Sequence, residues 1–213
     1  MTHFNSTIAI LGGAGKTGRP LVQEALNAGY RIRLLLRQPE TFEQTHERLE
    51  IIQGDARNPE SIQQVLHECT ALFSTLGNPK EENVPILSTV TRHILTAMQE
   101  RGIRRYVTVT SLYDTSTEQQ DRKTRQAAEY MQQHFPLYMA DRQLEFQLLS
   151  ASNLDWTYVR LPYVVEGAAT GRVKVDLDYL PGEQITSADL AHFLVSQLDS
   201  RQYVRQAPFV ANG

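Results

Sequence analysis

The nine residues Ile10–Gly18, ILGGAGKTG, constrain the fold of this chain more than any other stretch. An apolar run, Thr7–Leu11, leads into them, and a helical pattern over Lys16–Ala28, ended by Gly29, follows. A strand that turns on glycines into a helix leaves free N–H groups at the helix start, where the dipole also favours an anion. Two phosphate-binding motifs share this design. The triphosphate P-loop, GxxxxGK[ST], would be anchored on Gly15-Lys16-Thr17 and would need glycine at position 10. Position 10 is isoleucine, inside the strand. The loop is therefore too short to wrap a β-phosphate, and the nearest acid for a magnesium ion is Asp114, past RYVTVTSLY.

The dinucleotide spacing fits instead. Gly12 makes the tight turn, Gly15 lets the backbone approach a pyrophosphate, and Gly18 lets the helix pack close to the sheet. Ala14, Lys16 and Thr17 then flank the phosphates. The second strand, Arg31–Leu36 (RIRLLL), decides which dinucleotide is expected. NAD binders place an Asp or Glu about 20 residues beyond the glycines, where it accepts from the ribose 2′-hydroxyl. Here the chain reads Leu35-Leu36-Arg37-Gln38, with no acid. Arg37 suits a 2′-phosphate through charge-assisted hydrogen bonds. NADP(H) is expected in preference to NAD(H).

The strand–helix rhythm continues through the first half. Leu49–Gln53 is the third strand, and Asn58-Pro59-Glu60 opens a helix with Asn as N-cap and Pro in the first turn. Ala71–Leu76 is the fourth strand. Val84–Arg101 carries Ile86, Leu87, Val90, Ile94, Leu95 and Met98 at helical spacing and stops at Gly102. Arg105–Thr110 is the fifth strand. This alternation predicts an α/β fold, Rossmann-type and doubly wound, with a mainly parallel sheet and helices on both faces. The second half is less regular. Polar Thr115–Arg125 reads as loop or weak helix, Leu137–Ser152 as helix after Pro136, and Trp156–Arg160 as strand six. Leu161–Gly171 reads as loop and Val173–Leu177 as a short strand. Thr186-Ser-Ala-Asp189 is a capping box with Asp in place of Glu or Gln, opening a helix to about Leu198. No repeat or linker interrupts the chain, so residues 1–213 read as a single NAD(P)-binding domain. From about residue 161 it would supply a small substrate-side extension, a loop and the last helix.

Bulk properties exclude other classes. With 41% hydrophobic and 21% charged residues the chain matches an ordinary globular protein. A net charge of −3 without a Lys/Arg run gives nothing to grip nucleic acid. No apolar run approaches the ~20 residues that span a bilayer, and MTHFNSTIAIL lacks the pattern of a signal peptide. The one cysteine, Cys69, excludes an intramolecular disulfide and reads as a core residue. A cytoplasmic protein with no membrane or nucleic-acid partner is expected, as a monomer or small homo-oligomer. The six histidines lack metal-ligand spacing, so no metal is expected.

Several short motifs in a fixed order carry a resemblance. They are GGAGKTG, LLLR ending at Arg37, Gln53-Gly54-Asp55-Ala56, Leu76-Gly77 and Val109-Thr110-Ser111. After them come Asn153-Leu154-Asp155-Trp156-Thr157, Arg160-Leu161-Pro162 and Thr186-Ser187-Ala188-Asp189-Leu190. From about Thr7 to Leu198 the chain resembles atypical short-chain dehydrogenases/reductases. Within that group it is most similar to the biliverdin-IXβ reductase, or flavin reductase, family and its NmrA-like NAD(P)-binding relatives. The resemblance implies that Asp55 and Ala56 border the adenine. Leu76, Gly77 and Asn78 would pass beside the cofactor's centre, with Val109, Thr110 and Ser111 at the nicotinamide and substrate. Pro162, Tyr163 and Val164 would close around the carboxamide. Tyr113 and Asp114 would either touch substrate or shape their loop.

The sequence also departs from the wider superfamily, whose Tyr-x-x-x-Lys pairs a catalytic tyrosine with lysine. The nearest form here is Tyr138-Met-Ala-Asp-Arg142, YxxxR, on one helix face. Arg142 can steady a phenolate but cannot shuttle a proton; alternatively the two residues simply pack together. Tyr163 stands where the flavin reductase has histidine. Candidate catalytic residues are thus Ser111, Tyr138, Arg142 and Tyr163. Reduction of a flavin, linear tetrapyrrole or quinone spreads the developing charge over a conjugated system and needs mainly stacking at hydride-transfer distance. Ketone reduction concentrates it on one oxygen and needs a placed donor more. The expected activity is NADPH-dependent reduction of a flat conjugated acceptor. The alternatives are a non-catalytic NADP(H) sensor of the NmrA type and a ketone reductase or epimerase using Tyr138 and Arg142.

Overall fold

Hydrogen bonding along the strands builds an eight-stranded sheet in the order β3-β2-β1-β4-β5-β6-β10-β8. The computed structural model describes residues 6–78, 84–111 and 122–213. The strands are β1 (Thr7–Leu11), β2 (Arg31–Leu36), β3 (Leu49–Gln53), β4 (Ala71–Ser74), β5 (Arg105–Ser111), β6 (Asp155–Leu161), β8 (Val173–Asp176) and β10 (Phe209–Asn212). Pairing is parallel from β3 across to β10, and only the edge strand β8 runs antiparallel. A short parallel pair, β7 (Tyr163–Val165) with β9 (Gln184–Thr186), lies outside the main sheet.

Alternation along the strands explains the two layers above and below them. In β1, Ile8 and Ile10 point to one face and Ala9 and Leu11 to the other. The first face packs on α1 (Gly18–Asn27) and α6 (Ser187–Ser196) through Leu21, Val22, Leu26, Leu190 and Leu194. The second packs on α2 (Pro59–Val65), α3 (Leu87–Arg101) and α5 (Pro136–Ala151) through Ile62, Val65, Val90, Ile94, Met98 and Leu149. A sheet buried on both sides needs continuous apolar runs, and RIRLLL and TIAIL supply them. The expected doubly wound, mainly parallel α/β fold is therefore present.

Strand order reverses at β1, which lies between β2 and β4. Crossovers leave this point in opposite directions, so a crevice opens beyond the carboxyl ends of β1 and β4, where ligands bind in open α/β sheets.

Four local expectations change. Helix α1 starts at Gly18, not Lys16, because residues 12–17 are spent on the turn. Arg122–His134 forms a helix, α4, which runs past the polar stretch Thr115–Arg125 read as loop or weak helix, and residues 115–121 of that stretch lie outside the described residues. Leu161–Gly171 is not all loop, since it contains β7. The C-terminal part is also more than a loop and a helix, because β10 inserts between β6 and β8 and extends the main sheet. Phe209, Val210 and Ala211 are buried there, but four residues are too few to announce a strand by alternation. Among the described residues no helix is long and apolar enough to cross a membrane.

Candidate active site

The glycine turn is built from backbone pressed against backbone. Gly12 sits at φ +78°, and a Cβ there would meet the Thr75 carbonyl carbon at 2.8 Å and the Leu76 nitrogen at 2.9 Å. Thr75 ties this contact down: its N–H donates to Leu11 O (3.0 Å) and its hydroxyl to Gly12 O (3.1 Å). Gly18 abuts the Gly12 and Gly13 backbone. Its missing side chain therefore lets α1 start directly against the turn that leaves β1. Gly15 differs from both. A Cβ there would meet only Gly12 O, at 3.3 Å, so its outer side is open to a ligand.

The helix starts show what the turn is for. Asn58 caps α2, its side chain accepting from Glu60 N–H at 2.8 Å, and Thr186 caps α6. Asp141 of α5 accepts from Leu87 and Ser88 N–H (2.9 and 3.2 Å) at the start of α3. Asn78 accepts from Ile86 N–H at 3.0 Å. Thr17, at the start of α1, has helical dihedrals and makes no side-chain cap. Arg19 N–H donates to Gly15 O (3.0 Å) and Pro20 has no N–H, so the helix start offers an anion the Gly18 N–H together with those of the turn before it.

A cleft of about 330 Å³ crosses the carboxyl ends of β1 to β4. Nine expected residues line it: Gly12, Ala14, Gly15, Arg37, Asp55, Ala56, Leu76, Gly77 and Asn78. Leu36, Gln38, Thr41, Arg57 and Ile86 line it as well and were not anticipated. Arg19 pins the cleft's two rims together, donating from Nε to Ala14 O (3.1 Å) and from Nη2 to Thr41 O (3.0 Å). Asp55 is already engaged, accepting from Arg57 Nη2 at 2.6 Å and from Arg57 N–H at 2.9 Å. The Arg57 hydrogen bond, helped by the nearby Arg37 charge, holds its carboxyl below the usual range.

A polar cluster lies at the end of β5, joined to the cleft wall by Leu76. Arg142 Nε donates to the Tyr138 hydroxyl at 3.0 Å, and Ser111 Oγ lies 3.4 Å from the same oxygen. Arg142 is buried and paired with Glu145 at 2.7 Å. Burial opposes its charge, but the adjacent Glu145 carboxylate outweighs this and raises its pKa above the ordinary value. The guanidinium also reaches Val109 O (3.3 Å) and Leu76 O (3.5 Å). Glu145 in turn accepts from the Tyr158 hydroxyl at 2.8 Å and the Thr91 hydroxyl at 3.3 Å. A guanidinium only donates, so the Tyr138 oxygen is the acceptor in that bond. Its own O–H is left to point at Ser111 or at a ligand.

Residues 12–201 match the model of the NAD(P)H-binding family. The chain belongs to that family. It is 30% identical over 120 residues to cinnamoyl-CoA reductase 2 of Medicago truncatula, a match that covers 51% of this chain and 35% of that protein. The chain thus matches about a third of the length of that relative. Among solved structures it is similar to a short-chain dehydrogenase/reductase from Veillonella parvula in complex with NADP. Identity there is 19% and the TM-score 0.79, covering 97% of this chain and 94% of the other. It is also similar to ChuY, an anaerobilin reductase from Escherichia coli O157:H7, at 18% identity and TM-score 0.80, with 97% of each chain covered. At such identities the two structures establish the fold.

The residues present fit the dinucleotide that names the family. An uncapped helix start and an open Gly15 beside the cleft are what a dinucleotide's pyrophosphate needs. Of the remaining expected residues, Val109 and Thr110 are buried at the end of β5, and Pro162 is buried after β6. Val164 is half-buried in the β7–β9 pair. Tyr163 is 71% exposed and meets the glycine turn, with Lys16 Nζ 5.1 Å from its ring centre. Among the described contacts it does not join the Ser111–Tyr138–Arg142 cluster. Tyr113 and Asp114 lie outside the described residues. Glu145 was missed, although its position three residues after Arg142 places it on the same helix face.

Proposed function

We propose that this chain is an NADPH-dependent reductase of a flat conjugated acceptor, such as a flavin, a linear tetrapyrrole or a quinone. One observation carries the reductase part of this reading: Ser111, Tyr138 and Arg142, scattered in the sequence, meet within hydrogen-bonding range beside the NAD(P)H-binding cleft, while the flat acceptor follows from the resemblance to the biliverdin-IXβ and flavin reductase family. When bound, the nicotinamide supplies the hydride. The start of α1 holds the pyrophosphate and Arg37 the 2′-phosphate, which sets the preference for NADP(H) over NAD(H). Arg142 fixes the Tyr138 oxygen, and the Tyr138 O–H donates to the oxygen or nitrogen on which charge develops as the acceptor is reduced. Ser111 steadies the same atom. Similarity to an anaerobilin reductase and to a cinnamoyl-CoA reductase supports reduction as the reaction class. The whole of 1–213 then works as one domain on a small molecule.

The same contact favours a second reading, a ketone reductase or epimerase, because a placed phenol suits a carbonyl oxygen. It speaks against a purely sensing protein, which needs no buried guanidinium behind a tyrosine. To separate these, purified protein is mixed with NADPH and FMN, biliverdin, a quinone or a simple ketone, and the nicotinamide absorbance is followed. Oxidation with a flat acceptor and little with the ketone is expected. Tight NADPH binding without turnover on any acceptor would overturn the enzyme reading.

A further inference from the structure

A carboxylate lies buried behind the Tyr138–Arg142 pair, and no step of the proposed reaction uses it. Glu145 is 2% exposed and sits on the α5 face that carries Tyr138 and Arg142. Among the described residues, it is not one of those lining the cleft. Its Oε2 accepts from Arg142 Nη1 at 2.7 Å and from the Tyr158 hydroxyl of β6 at 2.8 Å, and its Oε1 accepts from the Thr91 hydroxyl of α3 at 3.3 Å. Groups from α3 and β6 thus hold the carboxylate still, and the carboxylate in turn holds Arg142. A guanidinium is a flat fork, so fixing one of its nitrogens fixes where the others point. Here Nη1 is taken by Glu145 and by Val109 O (3.3 Å), and Nη2 reaches Leu76 O (3.5 Å). Nε then faces the Tyr138 oxygen at 3.0 Å. No proton passes along this line, because Arg142 stays protonated. What the line transmits is orientation.

We propose that Glu145 is a positioning residue for Tyr138, acting through Arg142. This rests on the reading of Tyr138 as the hydrogen-bond donor in the reduction. Without the carboxylate, Arg142 would be a buried cation with no counter-charge. It would turn towards whatever acceptor it could reach, and its Nε would leave the Tyr138 oxygen. The helix itself has other anchors. Asp141 accepts from Leu87 and Ser88 N–H at the start of α3 (2.9 and 3.2 Å), and Met139 and Leu149 are buried. Tyr138 therefore keeps its place on the backbone when Glu145 is changed, and what it loses is the aim of its hydroxyl.

Steady-state kinetics with NADPH and the best acceptor tests this on wild type, Glu145→Gln and Glu145→Asp, each variant also combined with Tyr138→Phe. Thermal melting checks folding. Glu145→Gln removes the charge and should lower kcat by about tenfold or more, since a displacement of about an ångström can cost on the order of 10²-fold. The KM for NADPH should stay within about twofold, because Glu145 lies off the cleft. In the Tyr138→Phe background the same substitution should change kcat by less than about twofold, since the hydroxyl it aims is gone. Glu145→Asp keeps the charge but draws it back by one methylene. It should show a smaller loss with the same dependence on Tyr138, and it decides the matter if the glutamine variant does not fold. A folded Glu145 variant with unchanged kcat overturns the proposal. So does a loss of the same size in both backgrounds, which is what a merely structural role gives. A wild type that reduces no acceptor, or a Tyr138→Phe variant as active as wild type, overturns the reading of Tyr138 and this proposal with it.

Discussion

At Tyr138 the direction of one hydrogen bond decides what the residue can do. Its oxygen accepts from Arg142, whose charge is matched by the buried Glu145 carboxylate, so its own O–H is the group left to donate. Tyr138→Phe should therefore lower kcat by on the order of 10²-fold while leaving the KM for NADPH within about twofold, because the contact is made chiefly in the transition state. Steady-state kinetics with the best acceptor checks this, and an equal loss with every acceptor, conjugated or not, is not expected. The Tyr138–Arg142 spacing was legible as a same-face pair. That this face is buried was not, because burial depends on α3 and β6 closing over it. Arg105 makes the same point. It reads only as the start of the fifth strand, yet it donates to Gln197 O (2.8 Å), Asp155 O (2.7 Å) and the Thr157 hydroxyl (2.9 Å), tying β5 to β6 and to the end of α6.

Elements with a local signal were read closely, and those held by distant partners were not. The capping box at Thr186–Asp189 was visible, and the Thr186 hydroxyl indeed accepts from Asp189 N–H. Invisible was the second use of the Asp189 carboxylate. It accepts from Thr170 N–H and hydroxyl (2.9 and 2.7 Å), Gly171 N–H (3.0 Å), the Thr186 hydroxyl (2.9 Å) and Asn212 Nδ2 (2.7 Å). One buried anion thus fastens α6, the 170–171 turn and β10 together, which is why β10 could not be found from FVAN alone. Burial pushes this carboxyl up, but the hydrogen bonds from Thr170, Gly171 and Asn212 outweigh it and hold the pKa far below an ordinary aspartate. A depressed folded-state pKa contributes stability above the unfolded value of about 4, and that contribution is lost as pH falls towards the folded value. Wild type should therefore lose stability steadily below about pH 5. Asp189→Asn, less stable at pH 7 by on the order of 2–3 kcal/mol, should lose less over the same range. Urea unfolding at pH 7, 5 and 3 compares the two slopes, and parallel slopes would remove Asp189 from the acid response.

At the scale of the whole molecule, the strand order reverses at β1, and that reversal determines where the cleft opens. That much of the site was legible: four residues expected from the glycine turn and the end of β2, and five implied by the family resemblance, line one cleft. The chemistry was less so, since Ser111 and Tyr138 come from β5 and α5 and meet only because α5 packs beside α3. The cleft joins the turns after β1, β2, β3 and β4, so a ligand there braces four connections at once. Anything that binds the folded chain alone stabilises it by RT ln(1 + [L]/Kd), about 2.7 kcal/mol at a hundredfold excess over Kd. For a chain of this length each kcal/mol raises Tm by roughly 2–4 °C. NADPH at such an excess should raise Tm by about 5–10 °C. At the same concentration NADH should give a smaller shift if Arg37 holds the 2′-phosphate, as proposed. Adenosine 2′,5′-bisphosphate, which carries that phosphate without the nicotinamide, should give a shift of its own, whereas 5′-AMP should give almost none. Equal shifts for NADPH and NADH in differential scanning fluorimetry would put the binding energy in the glycine turn and take it away from Arg37.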